Sequence, residues 1–576
     1  MTDTFSAATP ETAAEAILLR LKQHGIDYFF ANAGTDFAPI IEAYSKNELG
    51  DGDADIPTPL ICPHENAAIG MAHGFYVATG RPQAVMLHVN VGLANALMGI
   101  INAASDQIPI FVMAGRTPST EGSRLGARSL PIHWGQDMRD QSAIVREFVK
   151  WDYEMKLPDQ AADLIDRGYA VAMSHPRGPV YLGLPREALG MAWEEQFPFG
   201  EKRHALSSPP APTKESVEEA ARLIKMAKKP MLISQRGDPS GALGKAVERF
   251  AENHGIAVAE FWTTGNLMAT DHPMHCGFDP GPLLEDADLV IVLDAMVPWL
   301  NGFTPPKDDA VIIQIGADPL FSRVPIRGFR SALNLTSLPV TATEALDAAL
   351  LNDPARDDGA IGERRKAIAA LSSAKREQAR EKAEGGARDP MTPAYVSKVL
   401  SDSLEGENAR IFSELGCDPA FMHLEGANRF HSHALAGGLG WGLPAALGAA
   451  LAEPDRIHVA CVGDGSYMFA NPVACHQIAE AHGLPVLTIV FNNAVWNAVR
   501  KTTLMMYPTG HASRMNTVPL SSLAPNPDFT KVAEASRGFA QQVERPEDLR
   551  PAIEEALHVI KNERRQALLD VIVSQG

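Results

Sequence analysis

The residues best placed to do chemistry are Asp464 and Asn493, which follow two apolar, strand-like segments at 456–462 and 484–491. Parallel strands bring the residues after their carboxyl ends to one edge of a sheet, where open α/β sheets bind their ligands. A carboxylate and a carboxamide are the hard oxygen ligands that Mg²⁺ prefers, commonly together with phosphate oxygens. The pair therefore predicts a site for magnesium and a diphosphate at the edge of a parallel sheet.

Small residues surround the predicted metal ligand Asp464. It lies in the run Gly463-Asp464-Gly465-Ser466, and the pattern predicts a helix that starts near Ser466. Glycines let the backbone approach a phosphate closely, and a helix N-terminus attracts the anion. A Gly-Asp-Gly run by itself is more often only a turn, so the interpretation depends on its combination with the Asn-Asn pair.

This combination resembles the metal–diphosphate motif of thiamine diphosphate (ThDP) enzymes, in the group of 2-oxo acid decarboxylases and acetolactate synthases. The spacer between the two halves, 466–491, has 26 residues. The resemblance implies that Asp464, Asn493 and the carbonyl group of Val495 bind Mg²⁺. It also implies that the diphosphate lies beside Gly463, Gly465 and Ser466.

A second segment resembles the activating glutamate segment of the same family. Glu65 follows His64 at the start of a helix rich in Ala, Gly and Ile, and Gly-Arg-Pro follows at 80–82. ThDP chemistry needs a carboxylic acid in an apolar pocket that protonates N1′ of the cofactor's aminopyrimidine. The resemblance gives Glu65 this role, whereas composition alone favours a carboxylate that only stabilises the helix N-terminus.

Two glycine-containing segments complete the cofactor residues that the resemblance implies. The segment 434–448 is dense in glycine, which by itself indicates close packing of a helix on a sheet. By resemblance, Gly437 offers its carbonyl group to the 4′-amino group and Leu439 holds the cofactor bent. The segment 413–417, with Gly416, resembles a loop near the diphosphate, although it lacks the hydroxyl residues common there.

The substrate pocket is predicted from residues that follow strand ends. His88 resembles the histidine that acts in benzoylformate decarboxylase, and an imidazole there could relay protons; the alternative is a histidine whose hydrogen bonds are satisfied within the fold. Thr35 aligns with a hydroxyl residue near the substrate carboxylate, or it serves only in a turn or cap. By resemblance, Gln136 enters the pocket from a neighbouring subunit. Trp496 and Val499 are predicted either to line the apolar wall or to belong to the core.

Strand and helix patterns alternate along the chain in three blocks. We expect a pyrimidine-binding domain at 1–190, a central domain at 214–350, a helical linker at 351–387 and a diphosphate-binding domain at 388–576. Such alternation predicts an α/β protein with three doubly wound parallel sheets. The ThDP family shares this three-domain arrangement. The resemblance to this family also implies a homodimer or homotetramer in which subunits share active sites.

Bulk composition excludes several other classes of protein. The 576 residues carry a formal charge of −19, which argues against a nucleic-acid surface. Neither a signal peptide nor a membrane span is evident, so we expect a cytoplasmic protein without a membrane partner. The cysteines show no C-x-x-C spacing, and therefore no disulfide framework or zinc knuckle is predicted; they are Cys62, Cys276, Cys417, Cys461 and Cys475.

The predicted reaction is a non-oxidative decarboxylation of a 2-oxo acid with ThDP and Mg²⁺. Its product is an aldehyde, or an acyl group transferred to an acceptor. The alternative is an acetolactate synthase-like carboligase or a C–C lyase, because these enzymes share every anchoring residue. FAD is not expected, since the arginine-containing motif that acetolactate synthases carry after the strand at 290–294 is missing.

Overall fold

The structure is a computed structural model that describes residues 9–50, 54–194, 196–197 and 199–575. The chain forms two compact units. One comprises the described residues within Met1–Ser208 together with Ala434–Ala452, and the other comprises those within Pro209–His433 and Glu453–Gly576.

The first unit is built on parallel strands that alternate with helices. Its strands are β1 (Tyr28–Ala31), β2 (Thr58–Ile61), β3 (Ala84–Leu87), β4 (Phe111–Arg116), β5 (Asp152–Glu154) and β6 (Val180–Pro185). Its N-terminal helices are α1 (Ala13–Gln23), α2 (Ala38–Glu48), α3 (Glu65–Thr79), α4 (Val89–Ser105), α5 (Ile132–Gly135), α6 (Ala161–Met173) and α7 (Arg186–Leu189). The strand order is β2-β1-β3-β4-β6-β5. Because β1 and β3 pair in parallel, the residues that follow them meet at one edge.

The second unit contains two further parallel sheets. The strands of the central sheet are β7 (Pro230–Ser234), β8 (Ala257–Glu260), β9 (Leu289–Leu293), β10 (Val311–Gly316) and β11 (Leu333–Thr336), in the order β11-β10-β9-β7-β8. Its helices are α8 (Lys214–Met226), α9 (Ala242–His254), α10 (Gly281–Leu284), α11 (Pro339–Leu351) and the long α12 (Asp358–Glu384).

The C-terminal sheet has the strands β12 (Ala409–Glu414), β13 (Phe430–Ser432), β14 (Ile457–Gly463), β15 (Val486–Asn492), β16 (Phe539–Val543) and β17 (Ala567–Ile572), in the order β13-β12-β14-β15-β17-β16. The remaining helices are α13 (Pro393–Ser403), α14 (Gly442–Ala452), α15 (Asp464–Phe469), α16 (Pro472–Ala481), α17 (Asn497–Met506), α18 (Phe529–Glu534) and α19 (Pro546–His558). The described residues therefore build three parallel α/β sheets, which confirms the predicted fold class.

The strands of the three sheets are mostly buried on both faces. Strand β15 is buried throughout, as are β7 and β9. Helices cover both faces of such sheets, which is why these strands read as continuous apolar runs rather than as alternating patterns. The buried strands fix the positions of the residues that follow their carboxyl ends, where the predicted site residues lie.

The glycine-dense segment leads into a helix that packs closely on another helix. Its helix α14 lies against helix α3 of the same unit. A β-carbon on Gly74 would lie 1.9 Å from the backbone oxygen of Ala445, and one on Gly448 would lie 1.9 Å from that of Met71. The two helices touch backbone to backbone, which only small residues permit.

Two element boundaries differ from the sequence prediction. The helix predicted near Ser466 begins at Asp464, with Gly463 as its N-cap. Strand β3 ends at Leu87, so that His88 caps α4 rather than ending the strand. In the described residues, no helix is both long enough and apolar enough to cross a bilayer.

Candidate active site

Asp464 is held at the carboxyl edge of the C-terminal sheet by strands β14 and β15, which pair in parallel. The carboxylate is buried, at 3 % exposure. Its Oδ2 accepts hydrogen bonds from the backbone N–H of Ala494 at 2.7 Å and from Asn526 Nδ2 at 3.2 Å, and its Oδ1 accepts from the N–H of Gly465 at 2.8 Å. The carboxylate is thus fixed from three directions.

Asn493 and Val495 follow on the neighbouring strand end, as predicted. Asn493 Oδ1 accepts from the N–H of Val495 at 3.1 Å, and the backbone of Asn493 donates to Asp464. Ala494 between them has φ +56°, which turns the chain sharply around the carboxylate. The structure therefore places Asp464 against the turn that carries Asn493 and Val495.

The electrostatics of this turn suit a cation. Burial raises the pKa of Asp464 above the usual range of a carboxyl group, while hydrogen bonds from Asn526 and the backbone oppose that rise. Asn526 Nδ2 also donates to Asn492 Oδ1 at 2.6 Å, and Asn526 Oδ1 is buried with no hydrogen-bond partner among the described residues. A divalent cation would restore the ionised carboxylate and could satisfy this orphaned oxygen.

The ring of Trp496 explains why position 465 is a glycine. A β-carbon at Gly465 would lie 2.1 Å from the indole, which also packs edge-on against Phe469. Trp496 is half-buried, and its backbone N–H donates to the carbonyl oxygen of Ser521 at 2.7 Å. Val499, the second predicted wall residue, is 51 % exposed on helix α17 within its unit.

Replacing Gly465 by alanine is expected to lower the free energy of unfolding by about 1–3 kcal/mol, because the indole must move to admit the methyl group. Gly362→Ala is the matched control, since nothing lies within 4 Å of a β-carbon there and the residue is inside helix α12. Chemical denaturation of both variants measures the difference. Equal stability of the two proteins would contradict the assigned contact.

Gly416 lies in the loop after β12. A β-carbon on it would lie 2.5 Å from the backbone of Cys461 in β14, so the loop rests directly on the neighbouring strand. Leu415 before it has φ +58°. The structure thus places Gly416 at the carboxyl edge that carries Asp464, where the resemblance implied a loop near the diphosphate.

Glu65 is the first residue of helix α3 in the other unit, with His64 as its N-cap. Both oxygens of its carboxylate are held by amides: Oε1 accepts from Asn32 Nδ2 at 2.9 Å, and Oε2 accepts from Asn95 Nδ2 at 2.5 Å. The carboxyl group is partly exposed. Its orientation is therefore fixed before any ligand binds.

The segment that contains Gly437 and Leu439 belongs to the same unit as Glu65 and is tied down by two asparagines. Asn102 donates to the carbonyl oxygen of Gly438 at 2.8 Å and accepts from its N–H at 3.1 Å, and Asn66 donates to the carbonyl oxygen of Gly440 at 3.2 Å. Gly437 has φ +68° and is exposed, and Leu439 is half-buried. Both residues remain accessible to a ligand within this unit.

His88 contacts residues on two sides. Its Nδ1 lies 2.5 Å from Asp36 Oδ1, and its Nε2 lies 3.2 Å from Gln136 Nε2. The hydrogen bond to Asp36 raises the pKa of His88, while burial acts in the opposite direction. Gln136 thus reaches His88 within its own chain, and no neighbouring subunit is needed for this contact.

Thr35 is exposed and begins a short 3₁₀ turn, Thr35–Phe37. The N-cap of this turn is Gly34, and the carbonyl oxygen of Thr35 accepts from Arg186. Thr35 therefore lies one residue beyond the cap position. The next residue, Asp36, is the one that contacts His88.

Several site residues were missed by the sequence interpretation. They are the amides and carboxylates that hold the predicted residues in place: Asn32, Asp36, Asn95, Asn492, Asn526 and Asp570. Asp36 could have been found, because β1 and β3 are neighbours and the residues beyond their ends must meet. The contacts of Asn526 depend on the course of a loop, for which no local pattern exists.

Comparison with known proteins agrees with this layout. Models of the thiamine pyrophosphate enzymes match three segments: the N-terminal TPP binding domain at 11–144, the central domain at 217–323 and the C-terminal TPP binding domain at 414–571. The acetolactate synthase large subunit of Haemophilus influenzae is 24% identical, covering 98% of this chain and 95% of its own length. The benzoylformate decarboxylase of Pseudomonas aeruginosa is 26% identical, covering 83% and 85%.

Among solved structures, the thiamine diphosphate-dependent 4-hydroxybenzoylformate decarboxylase of Rhodococcus jostii RHA1 has the same fold. Its TM-score is 0.78 at 20% identity, over 98% of this chain and 99% of that one. The domain models together span most of the sequence and include both the Glu65 segment and the Asp464 turn. The chain therefore belongs to the thiamine pyrophosphate enzymes, in the group that contains the decarboxylases and acetolactate synthases.

Proposed function

We propose that this protein decarboxylates a 2-oxo acid without oxidation, using ThDP and Mg²⁺, and releases the product chiefly as an aldehyde. The observation that carries the proposal is a titratable imidazole next to the activating carboxylate. A β-carbon on Gly92 would lie 3.3 Å from Glu65 Oε1 and 3.5 Å from the Cβ of His88, so the two side chains flank one glycine. A proton donor at this place suits the formation of an aldehyde C–H bond.

We assign the residues of each unit to one end of the cofactor. We assign Glu65 to N1′ of the aminopyrimidine, with Gly437 and Leu439 beside that ring. Asp464, Asn493 and the carbonyl group of Val495 would hold Mg²⁺, with the diphosphate near Gly416, Gly463, Gly465 and Ser466. When bound, ThDP supplies the electron sink that allows the bond between the carbonyl and carboxylate carbons to break. We place Thr35, Trp496 and Val499 around the substrate, as the sequence predicts.

We further propose that the protein is a homodimer or homotetramer whose subunits share active sites. Exposed apolar side chains near Glu65 support an interface there, since Ile61 is 72% exposed and Val91 50%. A cytoplasmic location is proposed because the spacing of the cysteines indicates no disulfide framework.

The second candidate is an acetolactate synthase-like carboligase without FAD. It is favoured by the acetolactate synthase large subunit of Escherichia coli, which is 25% identical over 98% of this chain. Gln136 beside His88 also supports it, because an amide there could orient an acceptor. The two candidates share the first half of the reaction and differ in what captures the acyl group.

A panel of aliphatic and aromatic 2-oxo acids separates these candidates. We expect CO₂ release that depends on both ThDP and Mg²⁺, with an equal amount of aldehyde. An acyloin as the main product at low substrate concentration would favour the carboligase. No CO₂ release from any member of the panel would contradict both candidates.

Replacing His88 by alanine is expected to reduce aldehyde formation by about 100-fold, the typical contribution of a positioned acid or base. His204→Ala is the control, because His204 is exposed in the same unit. Steady-state rates of CO₂ and aldehyde formation measure the effect. Wild-type rates of CO₂ and aldehyde formation in the His88 variant would contradict a catalytic role and leave His88 with a purely structural one.

A further inference from the structure

Asp36 is a buried carboxylate that contacts the ring of the catalytic candidate His88 with one oxygen and the backbone of Val89 with the other. It is 2 % exposed, and its Oδ1 lies 2.5 Å from His88 Nδ1. Its Oδ2 accepts from the backbone N–H of Val89 at 3.3 Å. The carboxylate therefore hydrogen-bonds both to the ring of the histidine and to the backbone of the next residue.

The surrounding backbone is shaped around this pair. A β-carbon on Gly34 would lie 2.0 Å from His88 Nδ1, and one on Gly115 would lie 1.6 Å from Asp36 Oδ2. Val89 has φ +34°, a conformation that costs a β-branched residue energy and persists only where its surroundings enforce it. Two glycines and one strained residue thus serve to place a single imidazole.

The contacts also fix which ring nitrogen carries the proton. A carboxylate only accepts, so Nδ1 of His88 must donate to Asp36. The opposite nitrogen, Nε2, faces the amide of Gln136, which can donate to a neutral ring or, with its amide reversed, accept from a protonated one. Nε2 is the atom that gains and loses a proton.

We propose that Asp36 is a positioning residue for the reaction, which holds His88 by Nδ1 and leaves Nε2 as the proton donor to the substrate-derived carbon. The inference rests on the proposed decarboxylation. It adds a hydrogen-bonded chain of carboxylate, imidazole and amide, Asp36–His88–Gln136. The carboxylate stabilises the protonated ring, and the amide of Gln136 donates or accepts according to the protonation state of Nε2. The same division of roles operates wherever a buried carboxylate orients a catalytic histidine.

This assignment balances the reaction. The bond between the carbonyl and carboxylate carbons breaks, CO₂ leaves, and its bonding electron pair stays on the carbonyl carbon. A proton from Nε2 takes up that pair and becomes the aldehyde hydrogen. Each turnover consumes one proton, which water returns to Nε2.

Other charged or titratable groups also face His88. Glu65 of α3 acts with Asp36 to raise the pKa of His88, and His133 of α5 lies close enough to interact with it. His133 is itself buried, accepts two backbone N–H bonds at Nδ1, and has its pKa lowered by burial and by Arg186. The effect of Asp36 on the titration of His88 must therefore be measured with Glu65 and His133 unchanged.

Titration of the His88 ring by NMR tests the inference without cofactor or turnover. In ¹³C,¹⁵N-histidine-labelled, cofactor-free protein, with the signal identified by its loss in His88→Ala, we expect a pKa above the ordinary value of about 6.5 and a proton fixed on Nδ1. In Asp36→Asn the titration midpoint is expected to move to lower pH, because burial then dominates. A wild-type His88 that titrates at or below 6.5, or carries its proton on Nε2 when neutral, would overturn the inference even if the variant fails to fold.

Kinetics provide the second readout. We expect Asp36→Asn to lower kcat by about 100-fold and to move the limb of its pH profile that reports His88 to lower pH. Asp347→Asn is the matched control, since Asp347 is another buried carboxylate that accepts from a histidine, His254 at 2.9 Å. A loss of rate in Asp36→Asn with an unmoved pH limb would show a structural role only and would overturn the inference. Absence of 2-oxo acid decarboxylation in the wild type would instead refute the proposed function, and the NMR titration would still decide on Asp36.

Discussion

Replacing Glu65 by glutamine is expected to lower the rate of 2-oxo acid decarboxylation by about 10³-fold while ThDP and Mg²⁺ still bind. Glutamine has the same shape and can keep a hydrogen bond to Asn32 or Asn95, so the start of helix α3 should survive. What it cannot do is exchange a proton with N1′ of the cofactor. Steady-state CO₂ release and calorimetric titration with ThDP separate turnover from binding.

Glu42→Gln is the control for this experiment, because Glu42 is an exposed residue of helix α2 in the same unit. It should leave both rate and affinity unchanged. If Glu65→Gln keeps the wild-type rate, Glu65 serves the helix N-terminus and not the cofactor. If the variant loses rate and ThDP binding together, Glu65 anchors the cofactor rather than activating it.

Replacing Asp464 by asparagine is expected to weaken Mg²⁺-dependent ThDP binding by at least about 100-fold, beyond the 10- to 100-fold typical of groups that only orient metal ligands. The single amide oxygen can still accept from the backbone N–H of Gly465 or of Ala494, which bind different oxygens of the carboxylate. The turn should therefore persist while the negative charge is lost. Hard divalent cations depend on that charge.

The matched control is Asp528→Asn, an exposed carboxylate that caps α18 in the same unit. Titration of each variant with ThDP at several Mg²⁺ concentrations measures the change. Unaltered, Mg²⁺-dependent binding by Asp464→Asn would mean that another group holds the metal, and the buried oxygen of Asn526 would then be the first alternative.

The sequence predicted those parts of the site that lie at strand ends. Asp464 and Asn493 could be placed together because apolar runs mark β14 and β15, and parallel neighbours share one edge. The same reasoning applies to β1 and β3, and it would have joined Asp36 to His88. The local pattern placed Glu65 at a helix start, whereas its role at N1′ came from the family resemblance and stays a prediction.

Other contacts could not be predicted, for physical reasons. Asn526 reaches Asp464 across 62 residues of chain through a loop that has no periodic pattern. Asn102 binds Gly438 across 336 residues, and only the packing of α14 on α3 brings the two together.

The most direct test of the central claim is decarboxylation in D₂O with ThDP and Mg²⁺, followed by mass spectrometry of the product. The proposed function predicts one CO₂ for each aldehyde, with a single deuterium on the aldehyde carbon, since that carbon takes its hydrogen from an exchangeable donor. A product in which the acyl carbon is joined to a second carbonyl compound, with no deuterated aldehyde from any 2-oxo acid, would contradict it.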